Sequence, residues 1–223
     1  TSSYSDSSFP SFTGNDIRGY FLFHASKHIE DKVYIRSLFN VNPAISSKFE
    51  NALTTLRKDG KKVLAIHIRR DDGVQTPLKL YVDFINNNYD KLGKPNIYIA
   101  SDGLNKVMKE LNDNYSDSLK NLTIFTENDF PEIIVSGKDS GHNYFSDFYM
   151  LTQADYLLTS VSTFSNAAAM LNERAEKNQT DTGIPSFYRP HTLQQKSGDY
   201  VADKLINFNP WNIYPARSDN YDN

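Results

Sequence analysis

Short apolar runs alternate along the chain with segments in which apolar residues recur every three or four positions. The runs predict four clear β-strands and a weaker fifth: Val63–Ile68, Asn96–Ala100, Leu122–Phe125, Tyr156–Ser160 and Ile184–Tyr188. Several are apolar at consecutive positions, which is typical of strands buried on both faces of a parallel sheet. The alternation of strands with helical segments indicates parallel βαβ units.

The helical segments are recognised by their apolar stripes. The stripes occupy these positions: Ile45, Phe49, Leu53 and Leu56; Tyr81, Phe84, Ile85 and Leu92; and Leu104, Val107, Met108, Leu111 and Tyr115. Such spacing places the apolar side chains on one face of a helix, where they pack into a core. Further helices are predicted over residues 144–153 and 166–174. We expect an α/β fold, a Rossmann-like parallel sheet with helices on both faces.

Residues 1–17 and 207–223 lack this periodicity. Residues 1–17 are rich in serine and predict a linker or disordered edge, and residues 18–60 predict a helical lead-in from an amino-terminal half that this sequence does not include. Residues 61–206 form the predicted sheet domain. Residues 207–223 predict an irregular tail held to the surface by Trp211.

The amino-acid composition excludes several kinds of chemistry and several classes of binding partner for this protein. The 223 residues include 39% hydrophobic and 23% charged residues, as in a soluble globular protein, and no cysteine, which excludes disulfides and thiolate chemistry. The net charge of −3 gives no basic field for nucleic acid, and no apolar run is long enough to span a membrane. We expect a small molecule or a neutral glycan as partner.

The first residues lack a signal-peptide pattern, which favours a cytoplasmic protein, or a Golgi-luminal one within a longer membrane-anchored chain.

Polar residues follow the first and the fourth predicted strands. The first strand contains His67 and leads into Arg69 and Arg70, and the fourth leads into the turn Val-Ser-Thr-Phe-Ser at residues 161–165. In an open doubly wound sheet, a ligand binds at the carboxyl ends of the strands where the winding direction reverses, commonly between these two strands. We therefore expect the two loops to be neighbours.

The chemistry of these two loops suits a phosphate. A turn rich in hydroxyl groups at a helix start, here Ser162 and Thr163, offers unpaired backbone N–H groups to an anion. Arg69 and Arg70 on the opposite side would supply planar, permanently charged donors, which match a pyrophosphate. The alternative is that the arginines pair with nearby aspartates on the surface and that Ser162 and Thr163 are only helix N-caps.

Two carboxylates extend this hypothesis. Asp147 lies on the helix before the fourth strand, and a carboxylate there can accept the two N–H groups of a guanine edge, a pattern that adenine does not present. Asp102 ends the second strand and is a further candidate for donor binding. The alternatives are a solvated helix face for Asp147 and a simple helix start for Asp102.

Three ordered segments resemble motifs of the α1,2-, α1,6- and protein O-fucosyltransferase superfamily. They are HIRRDD at residues 67–72, IYIASD at residues 97–102 and DFYMLTQADYLLTSVSTFS at residues 147–165. The resemblance extends upstream to residues 19–21. It implies a GT-B glycosyltransferase whose carboxyl-terminal half binds GDP-fucose and transfers fucose to a glycan hydroxyl with inversion. No metal or other cofactor is implied.

The resemblance also implies roles for individual residues. Arg69 matches the essential arginine at the β-phosphate, and His67 and Asp147 match guanosine contacts. The phosphate turn is matched by residues Ser162, Thr163 and Phe164. Arg69 would stabilise the negative charge that builds on the departing GDP.

Two features depart from the family pattern. The acidic residue that the α1,6 enzymes carry after the arginine pair aligns with Pro77, so the general base stays open. Asp72 is our candidate for it, with Asp71 as an alternative, and either aspartate could instead orient the arginines. The amino-terminal half of a GT-B enzyme is also missing, so we expect an acceptor domain elsewhere on the same polypeptide.

Other functions are considered on the same residues. The chain could hold a GDP-sugar without activity of its own, or use a GDP-sugar other than GDP-fucose. A phospho-receiver domain is disfavoured, because the third predicted strand leads into Thr126 and Glu127 where a receiver needs an aspartate. A metal-dependent GT-A enzyme is disfavoured because adjacent aspartates in an extended segment point in opposite directions.

Overall fold

Six strands form one sheet in the computed structural model, which describes residues 30–70, 75–133, 144–194 and 200–212. The strands are β1 (Val63–Ile68), β2 (Asn96–Ser101), β3 (Ile124–Phe125), β4 (Tyr156–Leu158), β5 (Phe187–Gln194) and β6 (Tyr200–Asn207). Their order in the sheet is β3-β2-β1-β4-β5-β6. Neighbouring strands from β3 to β5 pair in parallel, and β6 pairs antiparallel with β5. The predicted α/β class is confirmed.

Seven α-helices lie among the described residues. They are α1 (Lys32–Ser37), α2 (Pro43–Leu56), α3 (Leu78–Asn88), α4 (Leu104–Leu119), α5 (Tyr144–Thr152), α6 (Thr163–Leu171) and α7 (Glu173–Thr182). Short 3₁₀ turns occur at Lys58–Gly60, Glu127–Asp129, Pro131–Ile133 and Pro210–Asn212. Among the described residues, no helix is both long and apolar enough to cross a bilayer.

The helices cover both faces of the sheet because side chains alternate along each strand. Val63 and Ala65 of β1 pack into a core with α2, α5, α6 and α7. Leu64 and Ile66 pack into a second core with α3 and α4. All six residues of β1 are buried, as its continuous apolar run predicts.

The predicted helix over residues 166–174 is two helices. It begins earlier, at Thr163, and breaks at Asn172, whose φ of −82° and ψ of 86° are not helical. The buried Asn172 side chain accepts a hydrogen bond from Ala175 N at 2.8 Å and donates to the carbonyls of Leu151 and Ala154. These contacts satisfy a buried amide and start α7, so tertiary contacts override the local helical propensity.

The far side of the sheet also differs from the expectation. β5 begins at Phe187 and extends to Gln194, beyond the predicted Ile184–Tyr188, and β6 has no counterpart among the predicted strands. Leu193 and Val201, which pair across this hairpin, are 46% and 38% exposed. A hairpin that is partly exposed lacks the continuous apolar run that identifies a strand buried on both faces.

The strand order places β1 and β4 side by side at the point where the winding reverses. From β1 the chain winds outwards through β2 to β3, and it then returns to the other side of β1 to form β4 and β5. Ile66 of β1 pairs with Leu158 of β4, and Ile68 pairs with Ser101 of β2. The carboxyl ends of these three strands therefore lie together at one edge, where the sequence predicts the site.

Candidate functional site

The loops after β1 and β4 meet at this edge. Arg69 Nη1 donates a hydrogen bond to the carbonyl oxygen of Val161 at 3.1 Å. Val161 precedes Ser162, the N-cap of α6. The Arg69 guanidinium is thus placed beside the hydroxyl-rich helix start.

Arg70 points away from this turn. Its Nη1 donates to the Thr76 carbonyl at 3.0 Å, and its Nη2 lies 3.5 Å from Glu110 Oε2 on α4. Because alternate residues of an extended segment face opposite sides, Arg70 continues the α3–α4 face of β1 while Arg69 continues the other face. The expectation that two guanidinium groups face the phosphate turn is met by Arg69 alone.

His67 is a buried, neutral side chain at the end of β1. Its Nδ1 lies 2.8 Å from Ser160 Oγ, and its ring centroid lies 5.1 Å from that of Phe164. Burial lowers the pKa of His67 to about 4; the Asp102 carboxylate opposes this effect and the Arg69 charge adds to it. At neutral pH His67 therefore acts as an uncharged hydrogen-bonding group.

The turn after β4 is ordered by its own hydroxyl groups. Ser162 Oγ accepts a hydrogen bond from Phe164 N at 3.2 Å, so Ser162 is the N-cap of α6. Helix capping was the alternative role that the sequence analysis gave for this residue. Ser165 Oγ lies 3.2 Å from Ser160 N, which donates to it. Within the described residues, the amides of Thr163 and Ser165 have no hydrogen-bond acceptor. The start of α6 can therefore still receive an anion.

Asp147 is not a solvated helix residue. It projects from α5 to the end of β2, where Oδ1 accepts the Tyr98 hydroxyl at 2.8 Å and Oδ2 accepts Ser101 N at 3.2 Å. Burial raises the pKa of Asp147 from 3.8 to about 7; the Tyr98 and Ser101 hydrogen bonds oppose this rise, and the Glu127 charge adds to it. Asp147 therefore changes its charge near neutral pH.

Asp102 joins the ends of β1 and β2. Its Oδ1 accepts a hydrogen bond from the backbone N–H of Arg70 at 2.6 Å. Its charge also favours protonation of His67, although burial of the ring outweighs it.

Asp71 and Asp72 lie outside the described residues, so the general base stays a prediction. Within the described part of the chain, no group of three or more potential metal ligands is close enough to hold a metal ion.

Several residues at this edge carry roles that the sequence analysis did not assign. Ser160 bonds His67, Tyr98 holds Asp147, and the buried Tyr81 hydroxyl donates to the Thr159 carbonyl at 3.2 Å. Tyr98 had a usable signal, because a tyrosine within a continuously apolar strand needs a buried partner for its hydroxyl. No such signal marks Tyr81 or Ser160, because their partners, Thr159 and His67, lie far from them along the chain.

The assembled edge combines one guanidinium group, a neutral imidazole, two carboxylates and a helix N-terminus. They lie at the carboxyl ends of β1, β2 and β4, the position at which α/β proteins of this topology bind their ligands. The chain therefore belongs to the class of α/β proteins with a Rossmann-like sheet and a polar site at the switch point.

Comparison with solved structures shows a structural likeness. A crystal structure of NodZ alpha-1,6-fucosyltransferase co-crystallized with GDP matches with a TM-score of 0.36 and 15% sequence identity. The match covers 74% of this chain and 48% of that structure, so the chain spans about half its length. No known protein-family model matches the sequence, and no curated protein matches it. The strand order β3-β2-β1-β4-β5-β6 of this chain itself identifies its α/β fold.

Proposed function

We propose that this chain is the GDP-fucose-binding part of an inverting, metal-independent fucosyltransferase. The observation that carries the proposal is the contact of Arg69 Nη1 with the Val161 carbonyl at 3.1 Å, beside the start of α6. The three segments that resemble fucosyltransferase motifs are the segments that converge at this edge. A glycan hydroxyl is the proposed acceptor, bound with the help of an amino-terminal domain on the same polypeptide.

The diphosphate would lie between Arg69 and the start of α6. The Thr163 and Ser165 amides and the positive end of the helix dipole face an anion in that position. Negative charge builds on the β-phosphate as the bond to fucose breaks, and Arg69 would stabilise it. Loss of such a preorganised contact typically costs about 3 kcal/mol of transition-state stabilisation. Arg70 has no part in this contact.

The guanine base would be read by Asp147 and His67. Each carboxylate oxygen has two acceptor positions, and Tyr98 and Ser101 each occupy one of them on Asp147. The remaining positions can accept the two N–H groups of the guanine edge, provided that Asp147 is ionised. His67, neutral and buried against Phe164, would contribute an uncharged hydrogen bond.

The transfer step requires that an acceptor hydroxyl loses its proton as it attacks the anomeric carbon of fucose and GDP departs. Asp72 is the residue that we propose as general base, as in the sequence analysis. A GDP-sugar-binding module without activity is the second candidate function, since the acceptor domain would lie outside this chain. A transferase that uses another GDP-sugar would share the same GDP site.

Calorimetric titration of GDP, ADP and UDP in the presence of EDTA tests the proposal. We expect selective binding of GDP that is lost in Arg69→Ala. Arg70→Ala is the matched control. It removes the same guanidinium group from the adjacent position, where the side chain faces α4 and not the proposed phosphate site. Equal binding of the three nucleotides, dependence on Mg²⁺, or equal losses in both variants would contradict the proposal.

Transfer from GDP-fucose to a glycan, measured with this chain and with a longer chain that includes an acceptor domain, separates the two candidate functions. Transfer by the longer chain supports the enzyme. Binding of GDP without transfer in either chain supports the binding module.

A further inference from the structure

An open cavity of about 380 Å³ lies at the opposite edge of the sheet from the candidate GDP site. It is formed where the loops before β1, β2 and β5 come together around Tyr156, the first residue of β4. Its wall includes Lys61, Lys62, Lys91, Leu92 and Tyr156. Lys62 precedes Val63, the first residue of β1, and β1 runs six residues to the other edge, a distance of about 20 Å.

The charge of this cavity is strongly one-sided. Three of the residues that line it are lysines, and Asp59 is the single acidic residue among them. Within residues 30–70, 75–133, 144–194 and 200–212, none of these three lysines makes an ion pair. Unneutralised ammonium groups around one cavity attract an anion.

Two of the ammonium groups are already held by hydrogen bonds. Lys62 Nζ lies 2.6 Å from Asn178 Oδ1, which accepts its hydrogen bond, and 5.4 Å from the centroid of the Tyr156 ring. Lys61 Nζ donates to the Lys94 carbonyl at 3.1 Å, which ties the loops before β1 and β2 together. A ligand would therefore meet a partly preorganised set of donors.

We propose that this cavity binds a small phosphate monoester. A phosphate monoester carries between one and two negative charges at pH 7 and three strong acceptor oxygens, which suit several ammonium groups. Leu92, Ile184 and Tyr156 form an apolar part of the wall, which suits an organic group on the ester. The volume lies within the range of small-molecule sites.

Titration followed by amide NMR tests this proposal at defined positions. Gly60 and Gly93 line the cavity, and their amides report binding there. The probes are phenyl phosphate and inorganic phosphate. Phenyl phosphate should shift both signals saturably and bind about tenfold tighter than inorganic phosphate, the effect of removing about 50 Å² of apolar surface from water.

The double variant K61Q/K91Q removes two charges and leaves the Lys62 contacts in place. We expect about tenfold weaker binding of phenyl phosphate, since each partly exposed charge contributes about two- to fivefold. The control is K79Q, on the exposed surface of α3, where Lys79 pairs with Asp83. It should bind as the unmodified chain does.

Failure of this proposal is distinguishable from failure of the GDP site. Arg69→Ala should lose GDP binding and keep the phenyl phosphate response at Gly60 and Gly93. Shifts that do not saturate by about 10 mM, an unchanged affinity in K61Q/K91Q, or equal affinity for the two probes would overturn the assignment of a phosphate monoester to this cavity.

Discussion

Replacement of Asp147 by asparagine should remove the loss of stability that ionisation of this residue causes near neutral pH, and it should abolish the proposed recognition of guanine. Burial of the Asp147 carboxyl, between α5 and the end of β2, raises its pKa from 3.8 to about 7. The folded chain therefore binds a proton more tightly than the unfolded chain. Between pH 3.8 and about pH 7 the folded chain holds more protons than the unfolded chain. The free energy of unfolding therefore falls as pH rises through this range. Asparagine does not titrate and escapes this loss.

The magnitude follows from the two pKa values. With 3.8 in the unfolded chain and about 7 in the folded chain, ionisation of Asp147 costs the wild type about 2.5 kcal/mol of unfolding free energy between pH 5 and pH 8. Urea denaturation of wild type and Asp147→Asn at both pH values measures this difference. The comparison across pH cancels the constant effect of the altered hydrogen bonds to Tyr98 and Ser101.

A stability difference between the two proteins that is the same at pH 5 and pH 8 would refute the reasoning. It would mean that Asp147 is ionised in the folded protein throughout this range. The same variant should lose selectivity for GDP over ADP in calorimetric titration, because a neutral amide cannot accept both N–H groups of guanine. A residue that destabilises the fold when charged and is needed in that charged form for binding is an expected feature of a functional site.

Three further predictions follow from the same contacts. GDP affinity should fall about tenfold from pH 8 to pH 6 by calorimetry as Asp147 gains a proton, and a flat profile would contradict its role. Tyr98→Phe removes a donor to the charged carboxylate, so the midpoint of this profile should rise by about one pH unit; an unchanged midpoint would show that the bond is not formed. Asn172→Ala removes the cap of α7 and leaves the Leu151 and Ala154 carbonyls without that donor; we expect a loss of about 3 kcal/mol in urea denaturation, and a loss below about 1 kcal/mol would contradict its role.

The predictable part of the candidate site was its location. The apolar run of β1 and the helical stripes on either side indicate the strand order of a doubly wound sheet, and that order places the ends of β1 and β4 together. This topology predicts that the loop with Arg69 lies beside the loop with Val161, as the structure shows. The split between Arg69 and Arg70 was also within reach, since it needs only the alternation of side chains along an extended segment.

The protonation states of the site residues depend on burial, which cannot be predicted from the local sequence pattern. His67 is neutral and Asp147 titrates near pH 7 because the fold buries each of them against residues distant in sequence and removes water. The same residues on an open surface would have ordinary charges. The sequence suggested a guanine contact for Asp147 but carried no indication that Tyr98 would hold it.

The amino-acid sequence by itself determined the elements whose cause is local: the buried strands, the amphipathic helices and the alternation that makes the sheet parallel. The tertiary structure decided whatever depends on partners remote along the chain. It interrupted the helix at Asn172, added β6 to the edge of the sheet and brought lysines from two loops together at the far edge. The physical reason is that hydrophobic periodicity acts within a few residues, whereas charge, protonation and hydrogen-bond satisfaction are set by groups that only the fold brings together.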